Sequence, residues 1–264
     1  MLFFTNLLLF ESVTSTSMSY FNIIKLNATP STNDFLKEKH QKGVCQDGDL
    51  VWAKNQTSGR GQRDKMWISN PKDSLTFSVY KTYDHFPTTN NFLISMAVSL
   101  GIINALQSFN IPNLCIKWPN DIMADNKKIA GILIENIFKK KDLKASIIGI
   151  GININQTEFH GLPNATSLAA VINKNLDKQH VFDRLKAQLE KSLFSLQSIF
   201  KETLISDYSS LLWKKDKVTV FEDKGIPFTA ILRGVSPSGS LLLEDETGRI
   251  VEFNSGEIKM DYEN

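Results

Sequence analysis

The stretch Lys117-Trp118-Pro119-Asn120-Asp121, followed by Lys127-Lys128-Ile129-Ala130-Gly131, decides the predicted fold. It predicts a short strand that ends at Pro119, because proline cannot donate to a strand ladder, and a second strand that begins after a lysine. Asp121 would then lie at the strand edge, suited to hold Mg²⁺, and Lys128 would be suited to neutralise charge on a phosphate. A charged hairpin turn would also account for parts of this stretch, but the complete pentapeptide Lys117–Asp121 is far less common than such a turn.

Outward from this stretch, helical and strand-like segments alternate, as in an α+β domain. Strand-like runs cover residues 50–54, 74–80, 115–118, 129–138 and 145–154, and the last two flank a charged hairpin turn. Helical patterns cover residues 31–39, 92–109 and 181–208, the last as one long helix or two.

The character of the chain changes after Trp213. Residues 217–260 are short β-type runs broken by glycine and proline, which is typical of a small closed β unit. We therefore predict an α+β domain over residues 21–214 and a small β-barrel over residues 215–264. Residues 1–20 are an uncertain N-terminal extension, because Met18 is a second possible start.

Residues 55–73 predict a long loop centred on Gln56-Thr57-Ser58-Gly59-Arg60-Gly61-Gln62-Arg63. Glycines beside Arg60 let backbone N–H groups approach an anion, and Arg60 and Arg63 offer planar forks that match phosphate or carboxylate. Taken alone, Gly-Arg-Gly is better explained as a flexible surface loop.

Two further segments combine structural and possible binding roles. Gly149-Ile150-Gly151-Ile152-Asn153 lacks the third glycine of a dinucleotide fingerprint, so it indicates a buried strand that a ligand or another backbone can approach closely. Ser31-Thr32-Asn33-Asp34 fits a helix cap, and the same side chains can bond a polar ligand.

Composition excludes several classes of protein. The formal net charge is only +2 over 264 residues, which argues against nucleic acid as the main partner. Two distant cysteines and four scattered histidines show no metal spacing and fit a reduced cytoplasmic compartment. Residues 43–49 are spaced like a P-loop, but Asp49 stands where lysine is required. The apolar first ten residues are too short to cross a membrane.

Together, these segments resemble the biotin–protein ligases in both order and spacing. The resemblance covers roughly residues 20–260 and rests most on the Lys117–Asp121 string with Lys128 seven residues later. It implies a mixed β-sheet with flanking helices, as in biotin and lipoate ligases, and a C-terminal SH3-like β-barrel. It also implies activation of biotin by ATP and Mg²⁺ to biotinyl-5'-AMP, then transfer to a lysine of a biotin carboxyl carrier domain of a carboxylase.

The resemblance also implies a role for each matching residue. Biotin contacts would come from Ser31, Thr32, Asn33, Gln56, Gly59, Arg60, Gly61, Gln62, Lys128 and Gly131. ATP and adenylate contacts would come from Arg60, Arg63, Trp67, Lys117, Asn120, Asp121, Lys128 and Asn153. Arg60, Lys117 and Lys128 would be the catalytic cations, converging on one pocket, and Asp121 would hold Mg²⁺.

The chain departs from the family pattern at two positions of the loop and at its N-terminus. Gln62 replaces a frequent arginine and Asp64 a frequent glycine, and Asp64 is expected to face solvent. Residues 1–20 cannot hold the helix-turn-helix domain of repressor-type ligases, so we expect no DNA binding. Lysines 139–141 would guard a strand edge, which favours a monomer or a weak homodimer. The alternatives are a lipoate–protein ligase and a non-enzymatic interaction protein.

Overall fold

A computed structural model describes residues 19–63, 65–140, 142–196 and 200–262. The strands of these segments are β1 Asn22–Thr29, β2 Asp49–Gln56, β3 Ser74–Pro87, β4 Cys115–Lys117, β5 Asp121–Ala124, β6 Lys127–Lys139, β7 Asp142–Asn153, β8 Val218–Asp223, β9 Ile226–Val235, β10 Leu241–Glu244, β11 Ile250–Phe253 and β12 Ile258–Met260. The helices are α1 Thr32–Gln41, α2 Asn91–Gln107, α3 Leu168–Ile172, α4 Lys178–Ser195 and α5 Lys201–Ser210, with a short 3₁₀ turn at Thr88–Asn90.

The first seven strands form a mixed sheet in the order β1-β2-β3-β7-β6-β5-β4. Within this sheet only β1 and β2 are parallel, and helix α1 connects them along the chain. The remaining neighbouring strands are antiparallel. Because β3, β6 and β7 are long, the centre of the sheet is a rigid platform. On it, Gly131 of β6 lies directly opposite Gly151 of β7. The predicted mixed sheet with flanking helices is confirmed.

Helix α2 forms the centre of the main core. Its apolar residues face several directions, and most of the helix is buried between the sheet and helices α4 and α5. A helix that is hydrophobic all round is typical of such an interior position. By length and composition the segment Thr88–Gln107 could also cross a membrane. Its burial inside this fold accounts for the apolar composition.

The last five strands form an antiparallel sheet in the order β11-β10-β9-β8-β12. This unit is the predicted C-terminal SH3-like β unit, and it packs against the larger part of the molecule. The indole Nε1 of Trp118 donates to the carbonyl oxygen of Gly239 at 3.0 Å, and Trp118 is 7% exposed. Trp118 therefore ties the motif after β4 to the barrel.

The structure corrects several predicted elements. Strand β1 was not predicted, because half of its residues are exposed, only Thr29 is buried, and pairing with β2 makes it a strand. Asp121 begins strand β5, where no strand was predicted between Pro119 and Ile129. Segment 181–208, predicted as one long helix or two, is two helices, α4 and α5, and residues 197–199 between them lie outside the described ranges. The same is true of residues 1–18, Asp64 and Lys141.

Candidate active site

One cleft of about 640 Å³ lies between the central sheet, the glycine–arginine loop and the barrel. Every residue that the sequence assigned to biotin or nucleotide lines this cleft, with the exception of Gly59. Gly59 lies buried behind the loop, where a side chain would collide with the carbonyl oxygen of Trp67. The C-terminal strand β12 and Tyr262 also line the cleft, and sequence reasoning did not place them there.

At one end of the cleft, neutral polar side chains form a closed hydrogen-bonded group. The Oε1 atom of Gln56 accepts from the backbone N–H of Thr32 at 2.8 Å and from its hydroxyl at 3.0 Å. The hydroxyl of Ser78 lies 2.6 Å from Thr32 Oγ1 and 2.6 Å from Asn33 Oδ1. We call Ser31, Thr32, Asn33 and Gln56, together with the buried Ser78 behind them, the amide end of the cleft.

Ser78 is a functional candidate that the sequence analysis missed. It lies on β3 between Phe77 and Val79 and is fully buried. The available signal was the alternation of Ser74, Thr76 and Ser78 along the strand, which places a row of hydroxyls on one face, since buried hydroxyls need partners. Ser31, as predicted, caps helix α1 and accepts from the backbone N–H of Asp34.

Glycines on the central strands explain how the polar groups approach the sheet so closely. A side chain at Gly149 would collide with the amide of Asn33, and one at Gly151 would collide with the indole of Trp67. At Gly131, a Cβ would lie 3.2 Å from both Trp67 and the Lys128 Nζ atom. Trp67 therefore lies flat on a floor that Gly131 and Gly151 keep free of side chains.

Arg60 does not present a free charge to the other cations. Its Nη2 atom lies 2.6 Å from Glu135 Oε2 and 2.9 Å from Asp34 Oδ1. Glu135 also accepts from Asn33 Nδ2 at 2.8 Å, so this carboxylate joins the loop to the amide end. Burial alone would raise the pKa of Glu135, but the bonds from Asn33 and Arg60 and the charges of Arg60 and Lys37 hold it below its usual range.

Lys128 and Lys117 lie at the opposite end, which we call the cationic end. Lys128 Nζ lies 2.6 Å from Asp121 Oδ1 and 5.7 Å from the ring centre of Trp67. The backbone of Lys128 is fixed by the segment after Pro163, through bonds to the Asn164 carbonyl and from the Thr166 N–H. The sequence analysis did not single out this segment.

Lys117 is enclosed by aromatic rings from the C-terminal part of the chain. Its Nζ atom lies 3.2 Å from the ring centre of Tyr262 and 5.4 Å from that of Trp213, and donates to the Met260 carbonyl oxygen at 3.2 Å. Burial, helped by the charges of nearby lysines and opposed by Asp121, lowers the pKa of Lys117 to about 8. A buried ammonium is the costlier form, so this lysine titrates near neutral pH.

Three residues that were predicted to bind the nucleotide donate side-chain hydrogen bonds to backbone carbonyls of the protein. Asn120 Nδ2 donates to the Ile132 carbonyl, and Asn153 Nδ2 donates to the Thr166 carbonyl. Arg63 donates to the carbonyl oxygen of Ser255 in the barrel at 2.5 Å and packs onto Gly256, whose φ of +91° favours glycine. These contacts position the walls of the cleft.

A resident metal site does not fit the residues that the structure describes. Over the described ranges, no group of three or more His, Cys, Asp or Glu could hold a metal ion. Asp121, the predicted Mg²⁺ ligand, is already paired with Lys128. Mg²⁺ commonly binds through one or two carboxylates together with substrate phosphates. We therefore treat it as part of the ATP substrate.

The fold and this cleft define a ligase of the type that joins a mixed-sheet domain to a small β-barrel. The Biotin/lipoate A/B protein ligase family matches residues 26–153, and the Biotin protein ligase C terminal domain matches residues 217–260. The second match begins next to Val218 and ends at Met260, so it covers the five strands of the barrel.

Comparison with individual proteins narrows this family assignment. The structure of biotin protein ligase from Aquifex aeolicus in complex with biotin and ATP is 30% identical, with a TM-score of 0.76 over 91% of this chain and 98% of that one. The bifunctional ligase/repressor BirA of Escherichia coli is 28% identical over 90% of this chain and 74% of its own. The biotin--[acetyl-CoA-carboxylase] ligase of Mycobacterium tuberculosis is 28% identical over 87% and 85%. The chain belongs to the biotin protein ligase family and is a ligase.

Proposed function

We propose that this enzyme activates biotin with ATP to biotinyl-5'-AMP and transfers the biotinyl group to one lysine of a biotin carboxyl carrier domain. The observation that supports it most is the division of one cleft into an amide end and a cationic end. Biotin has the matching division, since its ring carries a ureido group and its side chain ends in a carboxylate. The A. aeolicus relative was crystallised with both biotin and ATP.

The amide end would set specificity. Gln56, Asn33 and the hydroxyls of Thr32 and Ser78 are held by bonds within the protein, so their free donors and acceptors are preorganised. A site built to pair buried N–H and C=O groups rejects an analogue without them by about 10⁴-fold or more. This argument favours biotin over lipoate, whose ring has no such groups.

The cationic end would bring two anions together. Biotin's carboxylate attacks the α-phosphorus of ATP, a bond to the bridging oxygen breaks, and pyrophosphate leaves with that electron pair. Lys117 and Lys128 would neutralise the repulsion between carboxylate and phosphate, which positioning and electrostatics can do without a protein nucleophile. Asp121 would bind the Mg²⁺ that accompanies ATP only if its pair with Lys128 opens.

The loop around Trp67 would protect the product. A mixed anhydride is hydrolysed by water, and exclusion of water from closed sites prevents such side reactions. Before ATP binds, Arg60 would hold the loop over the amide end through its ion pairs with Glu135 and Asp34. When ATP is bound, the Arg60 guanidinium would also attract the phosphate. Gly61 and Gly131 would let the backbone approach the ligand, and Gln62 would contact biotin. Gly59 instead lets the loop backbone pack against Trp67. A lysine amine of the carrier then attacks the acyl carbon and releases AMP.

The decisive experiment mixes the enzyme with Mg²⁺, ATP, biotin and a carrier domain, then weighs the carrier by mass spectrometry. We expect the mass of one biotinyl group to be added, and no change when ATP is left out. Modification by lipoate but not by biotin would show the lipoate alternative to be right. No modified carrier and no adenylate would favour a non-enzymatic interaction protein. Monomer or weak homodimer, cytoplasmic location and the absence of DNA binding stay predictions.

A further inference from the structure

Lys117 differs from the other two predicted catalytic cations, Arg60 and Lys128, in what holds it. Arg60 and Lys128 each lie within 3 Å of a carboxylate, at 2.6 Å in both cases. The contacts of Lys117 are instead a carbonyl oxygen of Met260 and the face of the Tyr262 ring, with Trp213 farther away. A carboxylate would cancel the charge of the ammonium, whereas a ring face holds a cation and leaves its net charge in place.

We propose that Tyr262 is a positioning residue, whose ring, backed by Trp213, holds the Lys117 ammonium in place for the phosphates of ATP. This inference rests on the proposed function. An ammonium has three N–H donors. In this arrangement the Met260 carbonyl takes one donor and the ring face lies against the ammonium, so donor capacity remains for a phosphate oxygen.

The tail that carries Tyr262 is anchored close to the site. Strand β12 pairs with β8 of the barrel, and Lys214 Nζ donates to the Asp261 carbonyl oxygen at 3.1 Å. Trp213 is 5% exposed, lies 5.5 Å from Tyr262 between ring centres, and donates from Nε1 to Asn126 Oδ1 at 2.8 Å. Burial raises the pKa of the Tyr262 phenol to about 12, so the ring stays neutral.

The proposal separates the two ends of the cleft in a measurable way. Tyr262 touches the lysine at the cationic end, while the amide end is built from α1, β2 and β3. Loss of the Tyr262 ring should therefore weaken the binding of ATP and leave the binding of biotin unchanged. If Tyr262 had a purely structural role in the barrel, its loss would instead lower the amount of active enzyme and change the KM values for both substrates together.

The test compares Tyr262→Phe, Tyr262→Leu and Tyr262→Ala in biotin-dependent exchange of pyrophosphate into ATP. Phenylalanine keeps the ring face, and leucine keeps apolar bulk without it. We expect wild-type behaviour for Tyr262→Phe, and a rise of about tenfold in KM for ATP for the other two, within the range of a desolvated cation–π contact. KM for biotin should change less than about twofold.

Two results would overturn the inference. Either Tyr262→Leu keeps the wild-type KM for ATP, or KM for biotin rises together with KM for ATP. Should Tyr262→Ala not fold, the leucine variant still decides, with thermal melting as the check on folding. An inactive wild-type enzyme would instead refute the proposed function, because that result does not depend on any Tyr262 variant.

Discussion

The two ends of the cleft are held by different forces. At the amide end, neutral groups bond one another at short range, and all of them lie on the central elements α1, β2 and β3. At the cationic end, charged side chains come from β4, β5 and β6, and the enclosing groups come from the barrel and the C-terminal tail. The groups proposed to recognise the biotin ring are therefore held rigidly within one domain. The positions of Lys117 and Lys128 depend instead on how the barrel packs against the sheet.

The largest effect should come from Lys128→Ala, which removes a cation at the centre of the cationic end. Loss of one preorganised group that stabilises transition-state charge costs about 10²–10³ in rate. We expect such a loss in adenylate formation with little change in biotin binding, measured by pyrophosphate exchange and calorimetry. The exposed neighbour Lys127→Ala is the matched control. Adenylate formation at the wild-type rate would show that the role assigned to Lys128 is wrong.

The second effect concerns pH at the same end. The pKa of Lys117 is lowered to about 8 by burial, so the ammonium loses its proton as the pH rises through that value. The charged form should be the one that binds phosphate. We therefore expect kcat/KM for ATP to fall about tenfold between pH 7 and pH 9, following a single titration.

A Lys117→Arg variant sharpens this pH prediction. A guanidinium stays charged throughout this range, so the fall above pH 8 should disappear even if the absolute rate is lower. KM for biotin should show no matching change. A pH profile that is identical in the two proteins would mean that another group titrates.

The third effect tests the amide end alone. Ser78→Ala removes a buried hydroxyl that lies against both Thr32 and Asn33, and one such bond is worth about 1 kcal/mol. We expect KM for biotin to rise about fivefold, with KM for ATP unchanged. Ser99→Ala is the matched control, because Ser99 is equally buried and its Oγ has no hydrogen-bond partner over the described part of the chain. Equal effects of the two variants would contradict the assignment of Ser78.

The smallest effect concerns the contact between the loop and the amide end. Glu135→Gln removes the negative charge that Arg60 faces at 2.6 Å, while the amide oxygen can still accept from Asn33. Because this pair is partly exposed, we expect only a two- to threefold faster tryptic cleavage in the loop around Arg60 and Arg63. Asp34→Asn removes the more exposed partner and should do less. A loop that is cleaved no faster in either variant would show that the pairs do not hold it.

Sequence patterns predicted the fold well where a pattern is local. The cap at Ser31, the apolar spacing of helix α2 and the hairpin between β6 and β7 depend on neighbouring residues, and all three are present in the structure. Strand β1 could not be predicted, because exposed and half-buried residues are mixed along it and only its partner β2 defines it. The sequence left open whether segment 181–208 is one helix or two, because both pieces pack on the same core.

The sequence by itself determined the identity and order of the groups that line the cleft, since motif residues and their spacing are fixed in the chain. Only the tertiary structure decided which of these groups meet. It paired Arg60 with Glu135, brought Ser78 to Asn33, and set Tyr262 against Lys117, which is 145 residues earlier in the chain (262 − 117). Contacts across such separations depend on sheet order and domain packing, and no local pattern records either of them.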